Sequence, residues 1–306
     1  LFITRGFEDL LIIGDQKRPD LFALNVQKQA PLSANVVGID ERLDALGQVL
    51  RPLNLPAADP PKNENQSAAV VCLHSHRNPE HEQRLAKHLR DAGWQHVSVS
   101  SDLAPVIKVL PRAETTVVDA YLSPIMSRYL DGVERELPNG KLHVMTSAGG
   151  LVSRADYRAK DSLLSGPAGG VVGAAMAGRQ TGFERIIGFD MGGTSTDVCR
   201  FDGDFDYNYE HRVGRARVIA PVLAIETVAA GGGSICGFNG DELFVGPESA
   251  GANPGPACYG AGGPLTITDV NLLLGRLDPA QFGIPVYIDA AQAALDQVRQ
   301  SIPERP

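Results

Sequence analysis

Apolar runs alternate with amphipathic stretches along most of this chain. Ala68–His74 is a continuous apolar run typical of a buried strand, and Pro79–Gly93 repeats apolar residues at helical spacing. A short strand over Val97–Ser101 and a long helix over Thr115–Leu137 are predicted next. Strands that alternate with helices at this spacing indicate an α/β sheet covered by helices on both sides.

The later part of the chain continues the same alternation. We predict a strand over Leu142–Thr146, a helix of small residues over Gly169–Gly178 and a terminal helix over Asp289–Ser301. The proline- and asparagine-rich stretch Arg51–Ser67 is typical of a connecting loop. The acids between Asp202 and Asp206 surround a glycine, which favours a solvated hairpin tip.

One segment, Ile186–Val198, combines this patterning with candidate chemistry. Its apolar residues end in an acid, Asp190, which is followed by the glycine pair Gly192 and Gly193 and then by small polar residues. The pattern predicts a buried strand, a tight turn that the glycines permit, and a second strand.

The tip of such a hairpin suits a phosphate group, because glycines allow close backbone approach and amide N–H groups bind anions. Asp190 and Asp197 would supply the oxygen ligands that magnesium prefers. The alternative is a plain structural turn, since glycine pairs are common in turns. The segment is neither a Gly-Lys-Ser/Thr phosphate loop nor a Rossmann turn, because the residues after Gly193 favour a strand over a helix.

This segment resembles the second phosphate motif of the hydantoinase A/5-oxoprolinase family. The resemblance extends over nearly the whole chain, and within the family the Thr-Val-Ala-Ala-Gly-Gly-Gly-Ser sequence is closer to 5-oxoprolinase. The other matching segments are Thr4–Leu10 with Arg18–Asp20, Cys72–His76 with Asn78–Glu80, Ser165–Ala174, and parts of Thr227–Leu277 that include Ala229–Ser234, Val245–Tyr259 and Thr268–Val270.

The resemblance implies the two-domain α/β fold of actin, sugar kinases and heat-shock ATPases, a ribonuclease H-like fold. We expect residues 1–180 to be the remainder of an incomplete first domain that ends in a hinge helix, and residues 181–306 to be the second domain, with the boundary near Ala177–Phe183. The family's first phosphate motif would lie upstream of Leu1. We therefore expect the chain to be an N-terminally truncated fragment that is inactive alone.

The resemblance also implies an activity: the ATP-dependent opening of a cyclic amide, 5-oxoproline or a hydantoin, through phosphorylation of the amide oxygen. Asp190 would bind magnesium or a water beside it, and Asp197 would support the loop or the metal. The hydrolytic half of the reaction would belong to a hydantoinase B-like subunit or a C-terminal half, in an oligomer. The residues expected to hold ATP are Gly192, Gly193, Thr194, Ser195, Thr196, Gly231, Gly232, Gly233 and Ser234.

Three smaller features have competing interpretations. The glycines of Ala229–Ser234 are expected to form a turn that opens a helix beside the nucleotide, or else a plain tight turn. Ser165–Gly170 begins a helix in which Gly169 and Gly170 would serve either close packing between domains or a hinge. Asp269 is predicted to cap a helix that starts near Val270.

Histidines form a loose group around Cys72–His76. His74 and His76 would share one face of a strand, with His81 and His88 following, so a metal site is conceivable. No acidic or thiol ligand completes it at the usual spacing, and orientation of the loop beside Asn78–Glu80 is the favoured interpretation.

Composition narrows the class of protein. A net charge of −8 without a basic stripe argues against nucleic-acid binding, and no apolar stretch approaches the length of a membrane span. The chain opens without a signal peptide, so a cytoplasmic enzyme with reduced thiols is expected. The cysteines, which are scattered and have no metal-ligand spacing, are Cys72, Cys199, Cys236 and Cys258.

Two other functions stay open at this level. An acetone-carboxylase-type subunit would keep the fold but phosphorylate a ketone or bicarbonate. A non-catalytic nucleotide-regulated module would keep the fold without turnover. The sequence does not separate these alternatives, because the loops that contact substrate have no recognisable pattern.

Overall fold

The computed structural model describes residues 1–15, 22, 24–25, 30–57, 59–137, 139–214 and 216–303. It divides into two compact units, one containing residues 1–169 with 207–223 and the other residues 170–206 with the chain from 224 onward. The proposed domains 1–180 and 181–306 stay a prediction. The matched segment Arg18–Asp20 lies outside the described residues.

The predicted strands and helices of the first unit, with the helices predicted over Gly169–Gly178 and Asp289–Ser301, agree in type with those observed, and their ends shift by a few residues. The prediction that His74 and His76 share one face of a strand is wrong, because the strand before them ends at Val71 and both residues lie in the turn that follows. The strands are β1 (Phe2–Thr4), β2 (Val37–Ile39), β3 (Arg42–Leu43), β4 (Val49–Arg51), β5 (Ser67–Val71), β6 (His96–Val99), β7 (His143–Met145), β8 (Leu151–Ser153), β9 (Arg185–Met191), β10 (Thr196–Asp202), β11 (Tyr207–Val213), β12 (Ala216–Leu223), β13 (Ile225–Val228), β14 (Ser234–Phe238) and β15 (Leu243–Ser249). The α-helices are α1 (Leu10–Ile13), α2 (Glu80–Asp91), α3 (Ser100–Leu103), α4 (Val109–Arg135), α5 (Ser165–Gln180), α6 (Ile267–Leu273) and α7 (Ile288–Ser301), and short 3₁₀ helices cover Ala159–Ser162, Ala257–Tyr259 and Pro279–Gln281.

The first unit is built on a parallel sheet with strand order β2-β1-β5-β6. Successive side chains of a strand point to opposite faces, so each strand contributes to two cores. On one face, Leu85 and Leu89 of α2 pack against Phe2 and Val70. On the other face, α4 packs its early residues against Ile3 and its neighbours. The prediction of a sheet covered on both sides is therefore confirmed.

Helix α4 is buried on two sides in its first half. It begins at Val109, before the predicted start, and its Val118 packs against Val218 and Ala220 of β12. From Tyr121 onward the helix is covered on fewer sides: Tyr121 and Tyr129 are exposed, whereas Leu130 is buried. Within the part of the chain described here, no helix is both long and apolar enough to cross a membrane.

The second unit contains an antiparallel sheet with order β13-β10-β9, the β14–β15 hairpin and helices α6 and α7. Helix α5 lies on one face of β9: a Cβ added at Gly178 would lie 2.7 Å from Ile186 Cγ2, and one at Gly188 would lie 3.5 Å from Ala174 Cβ. The opposite face of β9 is exposed, with Phe189 at 69%. The expectation of a buried strand is wrong for this face, because no second layer covers it among the described residues.

Candidate phosphate-binding hairpin

Strands β9 and β10 form the predicted hairpin. They pair antiparallel with Asp190 opposite Asp197 and Met191 opposite Thr196. The turn is closed by the amide of Gly192, which donates to the carbonyl of Ser195 at 2.9 Å. Sequence patterning alone predicted this element correctly, because the glycine pair and the flanking strand residues are local signals.

The tip of the hairpin presents free backbone donors. The amides of Gly193, Thr194 and Ser195 donate to no other described residue, and neither do the hydroxyls of Thr194 and Ser195. Gly193 and Thr194 are exposed and Ser195 is half-buried. Successive amides that face solvent in a turn favour an anion, since their partial positive charges add. The turn can therefore accept phosphate oxygens without breaking an internal bond.

Thr196 differs from its neighbours in the turn. It is buried, and its hydroxyl donates to the carbonyl of Ala230 at 2.5 Å. This bond joins the start of β10 to the second glycine segment. The position of the hydroxyl indicates a structural contact at this residue.

The second glycine segment packs directly on the hairpin turn. The amide of Gly232 donates to Gly192 O at 3.0 Å, and that of Gly233 donates to Gly193 O at 2.7 Å. A Cβ added at Gly231 would lie 2.7 Å from the carbonyl carbon of Gly193. Side chains at this position are excluded by backbone atoms, so the glycine is needed for close approach. The structure thus brings together the two glycine-rich segments that the sequence singled out.

This segment was expected to open a helix, and that expectation is wrong. Gly231–Gly233 leads into strand β14, which begins at Ser234. The amide of Gly231 donates to Ser234 Oγ at 2.9 Å, and the amide of Ser234 donates back to Gly231 O at 3.0 Å. With the bonds of Gly232 and Gly233, all four amides are used inside the protein. The segment braces the hairpin turn, and it does not offer these N–H groups to a ligand.

Two further elements form hydrogen bonds to this glycine segment. Thr268 at the start of α6 donates to Gly232 O from its amide at 2.8 Å and from its hydroxyl at 2.9 Å. Ala250 donates to Gly233 O at 2.8 Å. These bonds fix the carbonyls of the glycines whose amides hold the turn.

Asp269 was predicted to cap a helix that starts near Val270, but α6 begins at Ile267 with Thr266 as its N-cap. Asp269 takes part in the capping as the third helical residue, whose carboxylate accepts the amide of Thr266. The buried carboxylate also accepts bonds from the amides of Ala257 and Cys258 at 3.1 and 2.7 Å. Burial, and then the Asp269 carboxylate beside it, raise the pKa of the Cys258 thiol to about 12, so this cysteine is a neutral thiol at physiological pH.

The two aspartates of the hairpin lie on one face, as residues directly opposite in a ladder do. Asp190 is exposed, and a Cβ added at Gly170 in α5 would lie 3.9 Å from its Oδ2. Asp197 is half-buried, and its Oδ1 accepts a 2.7 Å bond from the hydroxyl of Thr227. The hinge role predicted for Gly169 and Gly170 stays a prediction.

A magnesium ion is commonly held by one or two carboxylates, with water and phosphate oxygens completing its shell. The Asp190–Asp197 pair fits this donor set. Over the described ranges, no group of three or more His, Cys, Asp or Glu side chains is placed to hold a metal by itself. The arrangement suits a metal that arrives with a phosphorylated ligand.

The histidines are dispersed among separate contacts. His81 Nδ1 lies 2.7 Å from Glu41 Oε2 with both side chains buried, and His88 Nε2 lies 3.0 Å from the carbonyl of Pro56. His76 Nδ1 lies 3.4 Å from an Arg112 guanidinium nitrogen. Glu41 and His81 are 40 residues apart in sequence, so local sequence patterns could not predict that they pair.

Comparison with known proteins shows the family of this chain. The chain matches the hydantoinase/oxoprolinase family over residues 112–305 and the hydantoinase/oxoprolinase N-terminal region over residues 1–93. It is 42% identical to the 5-oxoprolinase PfmaA of Pestalotiopsis fici over 97% of this chain and 26% of that protein. The chain therefore spans about a quarter of the length of this curated relative.

Solved structures show the same α/β architecture. The ATP-dependent caprolactamase of Pseudomonas jessenii superposes with a TM-score of 0.72 at 32% identity, covering 96% of this chain and 46% of that one. A nucleotide-free acetone carboxylase, studied for ATP-dependent acetone carboxylation, also gives a TM-score of 0.72 at 25% identity, covering 97% of this chain and 46% of that one.

Proposed function

Because this chain belongs to the hydantoinase/oxoprolinase family, we propose that it is the ATP-binding part of an ATP-dependent hydrolase that opens a cyclic amide, 5-oxoproline or a hydantoin. The observation that carries the proposal is the exposed turn with free amides at Gly193, Thr194 and Ser195 next to Asp190. Anionic phosphate oxygens and a magnesium ion match these two sets of groups.

Each residue of the hairpin has a role in this proposal. Asp190 holds magnesium or a water of its shell, and Asp197 supports the loop or the metal. Gly193, Thr194 and Ser195 bind phosphate oxygens through their free amides and hydroxyls, while Gly192 closes the turn that presents them. Thr196 acts through its bond to Ala230. Gly231 to Ser234 line the nucleotide site by fixing the turn, since their amides are engaged within the protein.

The chemistry explains why a phosphate donor is needed. Amide resonance makes a lactam carbon a poor electrophile, and ATP would supply a phosphoryl group to the amide oxygen so that water can attack this carbon. The protein contributes position and charge neutralisation to such a transfer. Fixed amides at the turn suit that task because they need no reorganisation as charge develops.

The finer assignment of the fold belongs to the same proposal. We place the chain in the actin, sugar-kinase and heat-shock-ATPase class, with an incomplete first domain. The three antiparallel strands β13-β10-β9, with a phosphate hairpin between two of them, support this assignment. Nucleotide would then be gripped by two facing hairpins, of which this chain carries one.

The rest of the reaction would lie elsewhere. Because the chain spans 26% of the 5-oxoprolinase PfmaA, we assign the hydrolytic step to a hydantoinase B-like subunit or to a C-terminal half. We propose a cytoplasmic, oligomeric enzyme in which this piece alone has no turnover.

A second candidate function has a specific observation in its favour. Acetone carboxylase matches the chain with the same TM-score as caprolactamase, 0.72, so a ketone or bicarbonate is the alternative acceptor of the phosphoryl group. A non-catalytic nucleotide-regulated module is the third. Assays of ATP consumption by the complete enzyme on 5-oxoproline and on acetone distinguish the first two, and ATP binding without turnover on either substrate indicates the third.

Calorimetric titration with magnesium and a non-hydrolysable ATP analogue tests the nucleotide site itself. We expect saturable binding that Asp190→Ala weakens about tenfold or more, a change of roughly 1.4 kcal/mol. Asp204→Ala, at another exposed turn of the same unit, should bind as the unaltered chain does. Equal binding by all three proteins would remove Asp190 from the site.

A further inference from the structure

The parallel sheet of the first unit contains a point at which its connections diverge. Strands β1 and β5 are neighbours, and the chain leaves β1 toward β2 on one side and β5 toward β6 on the other. In open α/β sheets, the loops at the carboxyl ends of two such strands separate and leave room for a ligand. This position belongs to the first unit, whereas the β9–β10 hairpin belongs to the second.

Two segments flank this point, Arg5–Asp9 after β1 and Leu73–Asn78 after β5, and together they are the switch-point edge. Both coincide with motifs that the proposed function leaves without a role. Arg5 and Arg77 are exposed, whereas His74 and His76 are half-buried. The edge therefore places two cations and two imidazoles at the ends of adjacent strands, in a chain whose net charge is −8.

Buried polar side chains fix the strand ends from which the two segments leave. The amide of Leu73 donates to Thr4 Oγ1 at 2.8 Å, and the Thr4 hydroxyl donates to Glu41, the partner of His81. The amide of Cys72 donates to Glu82 at 2.6 Å.

Arg112 adds further hydrogen bonds to this group of buried polar residues. It donates to the carbonyl of Cys72 at 2.6 Å and to Ser100 Oγ at 2.9 Å. Charged groups buried to this degree fix a loop in a single arrangement, as a preorganised binding site requires.

The backbone at His74 adopts a conformation that residues with a side chain disfavour. His74 is the non-glycine residue with a positive φ, 62°, among those described. Side-chain-bearing residues disfavour this region, and they occupy it mainly where the surrounding structure imposes it, often at functional sites. The His74 and His76 rings have their centroids 6.1 Å apart. Burial, and then the charge of Arg112 beside it, lower the pKa of His76 and so favour the neutral ring, which has one donor and one acceptor nitrogen.

We propose that the switch-point edge binds a small organic carboxylate, with Arg5 and Arg77 as the charged contacts and His74 and His76 as hydrogen-bonding contacts. The planar guanidinium group of arginine matches a carboxylate in geometry and charge. Glu8 lies in the same segment, where its carboxylate accepts the amide of Gly6 at 2.8 Å. This negative charge disfavours a dianionic phosphate more than a monoanionic carboxylate.

Backbone amide NMR of the whole chain tests the proposal, with 5-oxoproline, glutarate and acetate as probes. The uncharged lactam 2-pyrrolidinone and inorganic phosphate are the comparison ligands. We expect at least one carboxylate to shift the signals of Arg5–Asp9 and Leu73–Asn78 in a saturable manner, whereas 2-pyrrolidinone does not. Arg77→Gln and Arg5→Gln should each weaken that binding about fivefold or more, because a charge-assisted hydrogen bond is lost.

Arg84→Gln is the matched control, since Arg84 is an exposed arginine of α2 in the same unit. It should leave carboxylate binding unchanged, and thermal unfolding should show that all variants are folded. The proposal would be overturned by the lack of a saturable shift with any carboxylate, by equal or tighter binding of phosphate at the same signals, or by equal weakening of binding in Arg84→Gln. Shifts confined to the signals of residues 190–196 would also overturn it, because they would place the carboxylate at the hairpin.

Discussion

The switch-point edge and the turn of the β9–β10 hairpin both lie at the ends of strands, but different atoms hold them in place. At the edge, buried side chains such as Glu82 and Arg112 bind the backbone of the loops. At the hairpin, the backbone of one glycine segment binds the backbone of another, through Gly232 to Gly192 and Gly233 to Gly193. The first arrangement depends on charge and the second on the absence of side chains.

This difference determines which substitutions each region tolerates. A buried charge that loses its partner pays its full desolvation penalty, so the edge should be sensitive to loss of side chains. A glycine packed against a carbonyl has no room for a methyl group, so the hairpin should be sensitive to gain of side chains. The following substitutions test this contrast.

The largest effect is expected at Arg112. Arg112→Met removes the bonds to Ser100, to Cys72 O and to Val106 O, and leaves the Glu82 carboxylate without a nearby cation. Breaking a buried charged network of this kind costs about 3 kcal/mol or more of the free energy of unfolding. Urea unfolding of the variant measures it.

Arg128→Met provides the comparison, because Arg128 lies on the same helix but is exposed. Its free energy of unfolding should change by less than about 0.5 kcal/mol. If the two substitutions had equal effects, the buried network would not be what stabilises the edge.

A smaller effect is expected at Gly231. Gly231→Ala would place Cβ 2.7 Å from the carbonyl carbon and oxygen of Gly193, so the turn must move. We expect a loss of about 1–3 kcal/mol in the free energy of unfolding, with weaker binding of the ATP analogue. Urea unfolding and calorimetry measure the two quantities.

Gly173→Ala should change stability in the opposite direction. A Cβ at Gly173 meets nothing within 4 Å, and the residue lies inside α5. Replacing a helical glycine by alanine stabilises by about 0.5–1 kcal/mol. Equal destabilisation by the two alanines would show that the close approach at the turn is not what makes Gly231 sensitive.

The smallest effect is expected at Thr227. Thr227→Val removes the hydroxyl that donates to Asp197 Oδ1 at 2.7 Å but keeps the β-branched shape that suits a strand. Because Thr227 is exposed, we expect a loss of only about 0.5–1 kcal/mol, measured by urea unfolding. Thr227→Ser should retain most of the stability, and a deficit as large as that of the valine variant would count against the hydrogen bond.

The hairpin was predictable because its signals are consecutive in sequence. The apolar run before Asp190, the pair Gly192–Gly193 and the strand-favouring residues after them each specify a local conformation. The layers of the parallel sheet were predictable for a similar reason, since helical periodicity over α2 marks the face that packs on the strands.

Local patterning in the sequence is sufficient for the β9–β10 hairpin and for helices α2, α4 and α7. Only the tertiary structure decided that Gly231–Gly233 enters a strand, that residues 207–223 join the first unit, and that Glu41 pairs with His81. These outcomes depend on contacts between residues tens of positions apart. Local propensity carries no information about such partners, and the bonds that satisfy a buried amide or carboxylate are chosen when the chain packs.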